Sequence, residues 1–419
     1  MTAGGLAAGG VAEGVRRAAR GEPPSLRSAM LNADNARRLA QRLSHLRGAA
    51  MKLGQLLSME ADDLLPPEFT AALEILRSDA DAMPAAQLHR VLGQQYGKGW
   101  RARFERFDET PIAAASIGQV HRARAQDGRE LVLKIQYPGV ARSVSSDVDN
   151  VALLLRMFSL LPAQIDIDGL ASEAKRQLKA EADYEQEGKS MARYWAHVAD
   201  DPDLRMPQYD PDLSTRHILA MTYMEGRPLD QAVEAGLSQP TRDHLGGVIE
   251  RLLFRELFDF RLMQTDPNPA NYLYDGERNA LVLLDFGATQ AFDANMVRGY
   301  RDIAQAIVDD DPTAIERAAL NLGYIAARDA ADQKRTVVAL IRLICEPLRH
   351  PGPYDFGESD LPSRAWTEGM DLAFEQGLIR SPPPETMFLH RKLVGSFLLC
   401  ARLGARVDVR ASILPFLSP

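Results

Sequence analysis

The rhythm of apolar and polar positions changes along this chain. Within residues 35–57, Leu46, Ala50, Leu53 and Leu57 recur at helical spacing with Arg and Gln between them, which predicts an amphipathic helix. Pro66 and Pro67 punctuate its end, Pro67-Glu68 opens a helical stretch to about Leu76, and residues 84–96 make a third. Past about residue 103 the period shortens. Residues 104–107, 116–125 and 130–136 alternate or run apolar at strand length, with Asp127-Gly128 as a hairpin signal between the last two. Helical spacing returns over about 139–198, broken near Pro162 and Asp168. A strand at 216–223 then leads into Met224-Glu225-Gly226-Arg227-Pro228, a connector. The remainder is mostly helical, apart from short strands at 272–274 and 281–284. Strands followed by helices predict an α+β chain: a helical extension (1–103), a strand-rich lobe (104–225) and a helical lobe (226–419).

The chemistry concentrates in the last of these. Thr265-Asp266-Pro267-Asn268-Pro269-Ala270-Asn271 is followed by Leu283-Leu284-Asp285-Phe286-Gly287. An acid with Asn five residues later, a short hairpin and then Asp-Phe-Gly matches the catalytic half of a kinase. Asn271 and Asp285 offer the hard oxygens that Mg²⁺ prefers around the phosphates of ATP, and Asp266 is placed to orient or deprotonate a nucleophile. Upstream, Lys134 stands inside the apolar run Leu131-Val132-Leu133-Lys134-Ile135, where a lysine is costly to bury unless paired. In a kinase that lysine contacts the α- and β-phosphates and pairs with a helix glutamate. Acid gathers at Glu181-Ala182-Asp183-Tyr184-Glu185-Gln186-Glu187, where helical spacing puts Asp183 with Glu187 and Glu181 with Glu185; spacing leaves open which carboxylate meets Lys134.

Two features depart from an ordinary protein kinase. Where a Gly-x-Gly-x-x-Gly loop covers phosphates, this chain reads Ala113, Ala114, Ala115, Ser116, Ile117, Gly118, Gln119, a stiffer cradle for the nucleotide. After Asp285-Phe286-Gly287 a helical pattern begins near Asp293, without Ala-Pro-Glu or a long activation segment, which argues against general protein substrates. Met224, at the lobe connector, completes the nucleotide-binding set.

Composition narrows the partners. The net charge of −8 argues against general nucleic-acid binding, which needs a basic surface. Two separated cysteines, Cys345 and Cys400, form no disulfide framework and point to a reducing compartment. No run reaches the roughly 20 apolar residues that span a bilayer, and no signal peptide is expected. The Gly-rich start (Gly4, Gly5, Gly9, Gly10, Gly14), with Arg16, Arg17 and Arg20 after it, reads as a disordered tail or as a helix resting on anionic lipid.

Taken together, Lys52-Leu53-Gly54-Gln55, the Ala113 to Gln119 loop, Lys134-Ile135-Gln136-Tyr137-Pro138-Gly139-Val140, Glu181-x-Asp183 with Glu187, Gln264 to Asn271, Asp285 to Ala288 and Leu389-His390-Arg391-Lys392 resemble the UbiB family of atypical kinase-like proteins, coenzyme Q-associated branch. The resemblance implies Glu187 as partner of Lys134. It also implies Lys52 and Gln55 lying across the active site as regulatory residues, with Glu181 and Asp183 as polar neighbours. It implies an ATPase or atypical kinase in isoprenoid quinone biosynthesis, with ATP and Mg²⁺ as cofactors. The partners it implies are anionic membrane lipids, isoprenoid precursors or biosynthetic proteins. The location would be peripheral to a bacterial inner membrane on the cytoplasmic side, or on the matrix side in mitochondria. A nucleotide-gated binding module without phosphoryl transfer and a small-molecule kinase are the alternatives.

Overall fold

The structure, a computed structural model, describes residues 48–50, 52–54, 82–157, 167–374 and 384–417. The Gly/Arg-rich start, Gln55 and the helix expected at 67–76 lie outside the described residues.

The first compact unit holds the described residues before Glu187 together with Asp210–Tyr223. Its sheet contains β1 (Phe104–Phe107), β2 (Ala113–Ala114), β3 (Gly118–Ala125), β4 (Glu130–Gln136) and β6 (Ile218–Thr222). The order is β1-β3-β4-β6, antiparallel throughout, with β2 on β3. All of β4 from Leu131 to Gln136 is buried, which is why it reads as an uninterrupted apolar run around Lys134. Leu88 and Leu92 of α1 (Ala85–Tyr96) pack with Trp100, Phe104, Leu131, Leu133 and Ile218 into one core. Gly118 lies where a Cβ would come 2.3 Å from the Ile135 carbonyl oxygen, so a glycine is needed for the β2–β3 turn to lie on β4. Three helices come next: α2 (Val140–Met157), α3 (Ile167–Glu181) and α4 (Tyr184–Val198).

The expected single helix through 181–187 is corrected here. The chain turns at Ala182 and Asp183, because the Ala182 carbonyl accepts the Gln136 side-chain N–H at 2.8 Å and Asp183 caps α4 by accepting the Gln186 N–H at 3.0 Å. Asp183 and Glu187 therefore do not share a helical face.

The second unit comprises Glu187–Tyr209 and Met224 onward. Residues 187–209, expected in the first lobe, fold here for two reasons. Tyr194 packs on Phe260 and Phe286, and β5 (Leu204–Arg205) pairs in parallel with β10 (Ala280–Leu283). Its sheet runs β5-β10-β9-β7, with β7 at Arg227–Pro228 and β9 at Tyr272–Asp275. A separate pair joins β8 (Leu262–Gln264) to β11 (Thr289–Ala291). Around them lie α5 (Leu229–Glu234), α6 (Gln239–Arg255), α7 (Ala294–Val308), α8 (Pro312–Asn321), α9 (Ala331–Ile344), α10 (Leu361–Phe374), α11 (Pro384–Leu403) and α12 (Val409–Leu417). Ser238 caps α6 and Asp293 caps α7. After α6 the helix widens into a π-turn, Glu256–Phe260, ending at Arg261 in the left-handed region (φ 50°).

Candidate nucleotide site

In the second unit, Asp266, Asn271 and Asp285 come together because β9 and β10 are antiparallel neighbours. The register pairs Tyr272 with Leu283, and the Leu284 N–H donates to the Asn271 carbonyl at 3.0 Å. The Asn271 side-chain N–H donates to the Asp266 carbonyl at 3.2 Å, which leaves its amide oxygen as an acceptor. Asp285 turns the chain by accepting the Gly287 N–H at 2.9 Å, and Phe286 is fully buried against Tyr194. Thr265 ties this loop to the Asp-Phe-Gly turn, donating through Oγ1 to the Ala288 carbonyl at 2.6 Å. The result is two half-buried side-chain oxygen donors beside an acid. Mg²⁺ keeps several waters and phosphate oxygens, so two protein ligands of this type fit it.

Three residues that the sequence pattern leaves without a role complete this half. Arg391 of α11 forms an ion pair with Asp266. Next to it, Lys392 reaches Glu256 of the π-turn at 3.0 Å, both side chains buried. Glu256 accepts the Tyr194 hydroxyl and the Gln264 backbone N–H, each at 2.8 Å. Burial lifts the Glu256 carboxyl above its ordinary range against the pull of Lys392. Burial pulls the Lys392 pKa down, but Glu256 and Tyr272 beside it outweigh that pull and the net shift is upward. Gly395, one turn on, packs directly on Pro267: a Cβ there would sit 1.9 Å from the proline ring. The only sequence signal for these roles is a His-Arg-Lys run inside an apolar helix.

In the first unit, Lys134 sits in the middle of β4 with its ammonium 5.4 Å from the centroid of the Tyr184 ring. Glu181 joins two of the predicted motifs. It accepts from Lys52 Nζ at 2.6 Å and from Ser116 Oγ at 2.5 Å, so the helical stretch carrying Lys52 is fastened to the alanine loop. Ala113 and Ala114 are exposed on β2, and the Ala115 N–H closes the turn on the Gly118 carbonyl at 2.9 Å. Ile117 and Gln119 are buried. The Gln119 amide accepts the Met83 N–H at 2.8 Å and lies 2.6 Å from His121, so these two side chains serve the interior of the unit. Asp183 caps α4 and does not join Glu181. Glu187 is buried and belongs to the second unit, which continues at Met224, a half-buried residue between β6 and β7.

A strand-rich unit with a buried strand lysine and a helical unit with Asp-x4-Asn and Asp-Phe-Gly define a kinase-like protein. The ABC1 atypical kinase-like domain matches residues 75–319. The chain is 39% identical to atypical kinase COQ8B, mitochondrial, of Rattus norvegicus over 383 residues, 91% of this chain and 72% of the relative. It is 37% identical to atypical kinase COQ8, mitochondrial, of Saccharomyces cerevisiae over 410 residues, 96% and 81% of the two. Among solved structures it is similar to Rv3197 of Mycobacterium tuberculosis in its erythromycin complex, with a TM-score of 0.63 at 25% identity, covering 92% of this chain and 97% of that one. The chain belongs to the ABC1, or UbiB, family of atypical kinase-like proteins.

Proposed function

We propose that this chain is a Mg-ATP-hydrolysing atypical kinase supporting coenzyme Q biosynthesis, acting on a lipid precursor or a biosynthetic complex and not on general protein substrates. The observation that carries this reading is the Asp266, Asn271 and Asp285 cluster, with β11 and then α7 succeeding the Asp-Phe-Gly turn in place of a long substrate platform. Asn271 and Asp285 would hold Mg²⁺, which neutralises phosphate charge when bound. Lys134 is assigned to the phosphates, and Asp266 to orienting the attacking oxygen. The family link to isoprenoid quinones supports the pathway assignment. Among the described residues no helix is long and apolar enough to cross a membrane, and the reading takes membrane contact as peripheral. The test is ATP hydrolysis by purified protein with and without anionic liposomes. Asp285→Asn is expected to abolish it; a variant as fast as wild type refutes the reading.

The Asp266–Arg391 ion pair favours a second reading. An acid already engaged by a guanidinium suits a nucleotide-gated binding module without phosphoryl transfer. Strong thermal stabilisation by Mg-ATP with near-zero turnover would select it.

A further inference from the structure

The first unit carries a hollow of about 550 Å³ to which no residue proposed for the nucleotide contributes. Its wall comes from three places: α1 (Arg90, Gln94), the start of α2 (Gly139, Arg142) and the turn before β6 (Arg216, His217). Among the described residues no carboxylate lines it, although the chain has 57 acidic residues against 49 lysines and arginines. Among the described residues, the side chains of Arg90, Arg142 and Arg216 make no ion pair or hydrogen bond. Elsewhere in the same unit Arg122, Arg124 and Arg129 each meet an acid.

Three guanidiniums with no counter-charge among the described residues repel each other around one hollow, and a counter-anion relieves that repulsion. One further feature raises the local positive potential. The first turn of α2 contains no acidic residue, so the positive end of an 18-residue helix dipole is uncompensated at this wall. The His217 ring is held in place, its Nδ1 2.9 Å from Gln136 Oε1, while Gln136 itself donates to the Ala182 carbonyl. The helix does not offer a row of free amides. The Val140, Arg142 and Ser143 N–H groups already donate to Tyr137 and Gly139. Recognition therefore falls to the guanidiniums, whose planar fork matches phosphate oxygens in pairs.

We propose that this hollow binds a phosphate-bearing group with two or more negative charges, a site separate from the nucleotide. The volume exceeds what one phosphate fills and lies in the range of small-molecule sites. The chemistry is shared by a free phosphate ester or pyrophosphate and by the headgroup of an anionic lipid, so the experiment has two arms. The full chain is titrated with pyrophosphate by calorimetry. Separately, it is sedimented with phosphatidylcholine vesicles with and without phosphatidic acid. The same measurements are made on the double variant Arg142→Gln/Arg216→Gln, both exposed positions, and on Arg124→Gln, a paired arginine of the same unit. The double variant is expected to weaken binding about tenfold or more, with Arg124→Gln unchanged. Loss in the pyrophosphate arm assigns a free phosphate ester, and loss confined to the vesicle arm assigns a lipid headgroup. Three results overturn the proposal: wild type binding in neither arm, the double variant binding as wild type in both, or Arg124→Gln losing as much as the double variant.

Discussion

Lys392→Met would test the buried network under the Asp266 loop. The Lys392 ammonium lies 3.0 Å from Glu256 Oε2, with the two side chains 4% and 0% exposed. Glu256 Oε1 is served by Tyr194 and Gln264, whereas Oε2 has no hydrogen-bond partner beyond this ion pair. Methionine fills much of the lysine stem but leaves the buried carboxylate without its counter-charge, a change that costs about 3–5 kcal/mol. The carboxyl can escape by taking up a proton, since loss of the cation pushes its already raised pKa further up. A group whose folded pKa lies above its unfolded value loses stability as pH rises, so the deficit should be largest above neutrality and shrink on acidification. In the double variant Glu256→Gln/Lys392→Met no charge is buried, and part of the loss should return. Urea unfolding monitored by circular dichroism measures the stability. Hydrogen exchange of the peptide carrying Gln264 reports whether the loss is local. A single variant within about 1 kcal/mol of wild type at alkaline pH would refute a buried ionic role for the pair.

Gly395→Ala should cost about 1–3 kcal/mol despite alanine's better helix propensity, because its Cβ would meet the Pro267 ring at 1.9 Å; a melting temperature at or above wild type contradicts this. Asp183→Ala removes the cap of α4 and should cost about 1 kcal/mol, read by thermal denaturation, with Asp183→Asn close to wild type. His390 is half-buried, with Nε2 2.6 Å from the Tyr324 hydroxyl, and its desolvation pushes its pKa down to about 4. Its folded pKa lies below the unfolded value, so stability present above about pH 6.5 should fall by up to about 3 kcal/mol as pH drops towards 4. His390→Gln should flatten that slope in pH-dependent unfolding, and an unchanged slope would remove His390 as its source.

Much of the fold was legible because local signals agreed with their surroundings. The Asp127-Gly128 turn between two strand-length runs gave β3 and β4, and the buried run around Lys134 marked a strand covered on both faces. The Asp266, Asn271 and Asp285 cluster was legible because a short hairpin links its parts. The break at Ala182 was not, since Glu181 to Glu187 has good helical composition and the turn is imposed by the Gln136 side chain, 46 residues earlier. The place of residues 187–209 in the second unit is not legible from the sequence, because β5 is two residues long and is defined only by its partner β10. Arg391 could not be assigned from spacing because the acid it meets lies 125 residues before it.

The π-turn at Glu256–Phe260 also bears on how this chain can tolerate changes in length. A π-turn holds one residue more than an α-turn, so a one-residue deletion within 257–260 could be absorbed as regular helix with little loss of backbone hydrogen bonding. Each residue removed rotates the helix before the deletion by about 100° relative to the chain after it. Glu256 would then swing away from Tyr194, Gln264 and Lys392 while the helix itself healed. The extra residue thus acts as a phase setting between α6 and β8, open to loss as secondary structure but not as register.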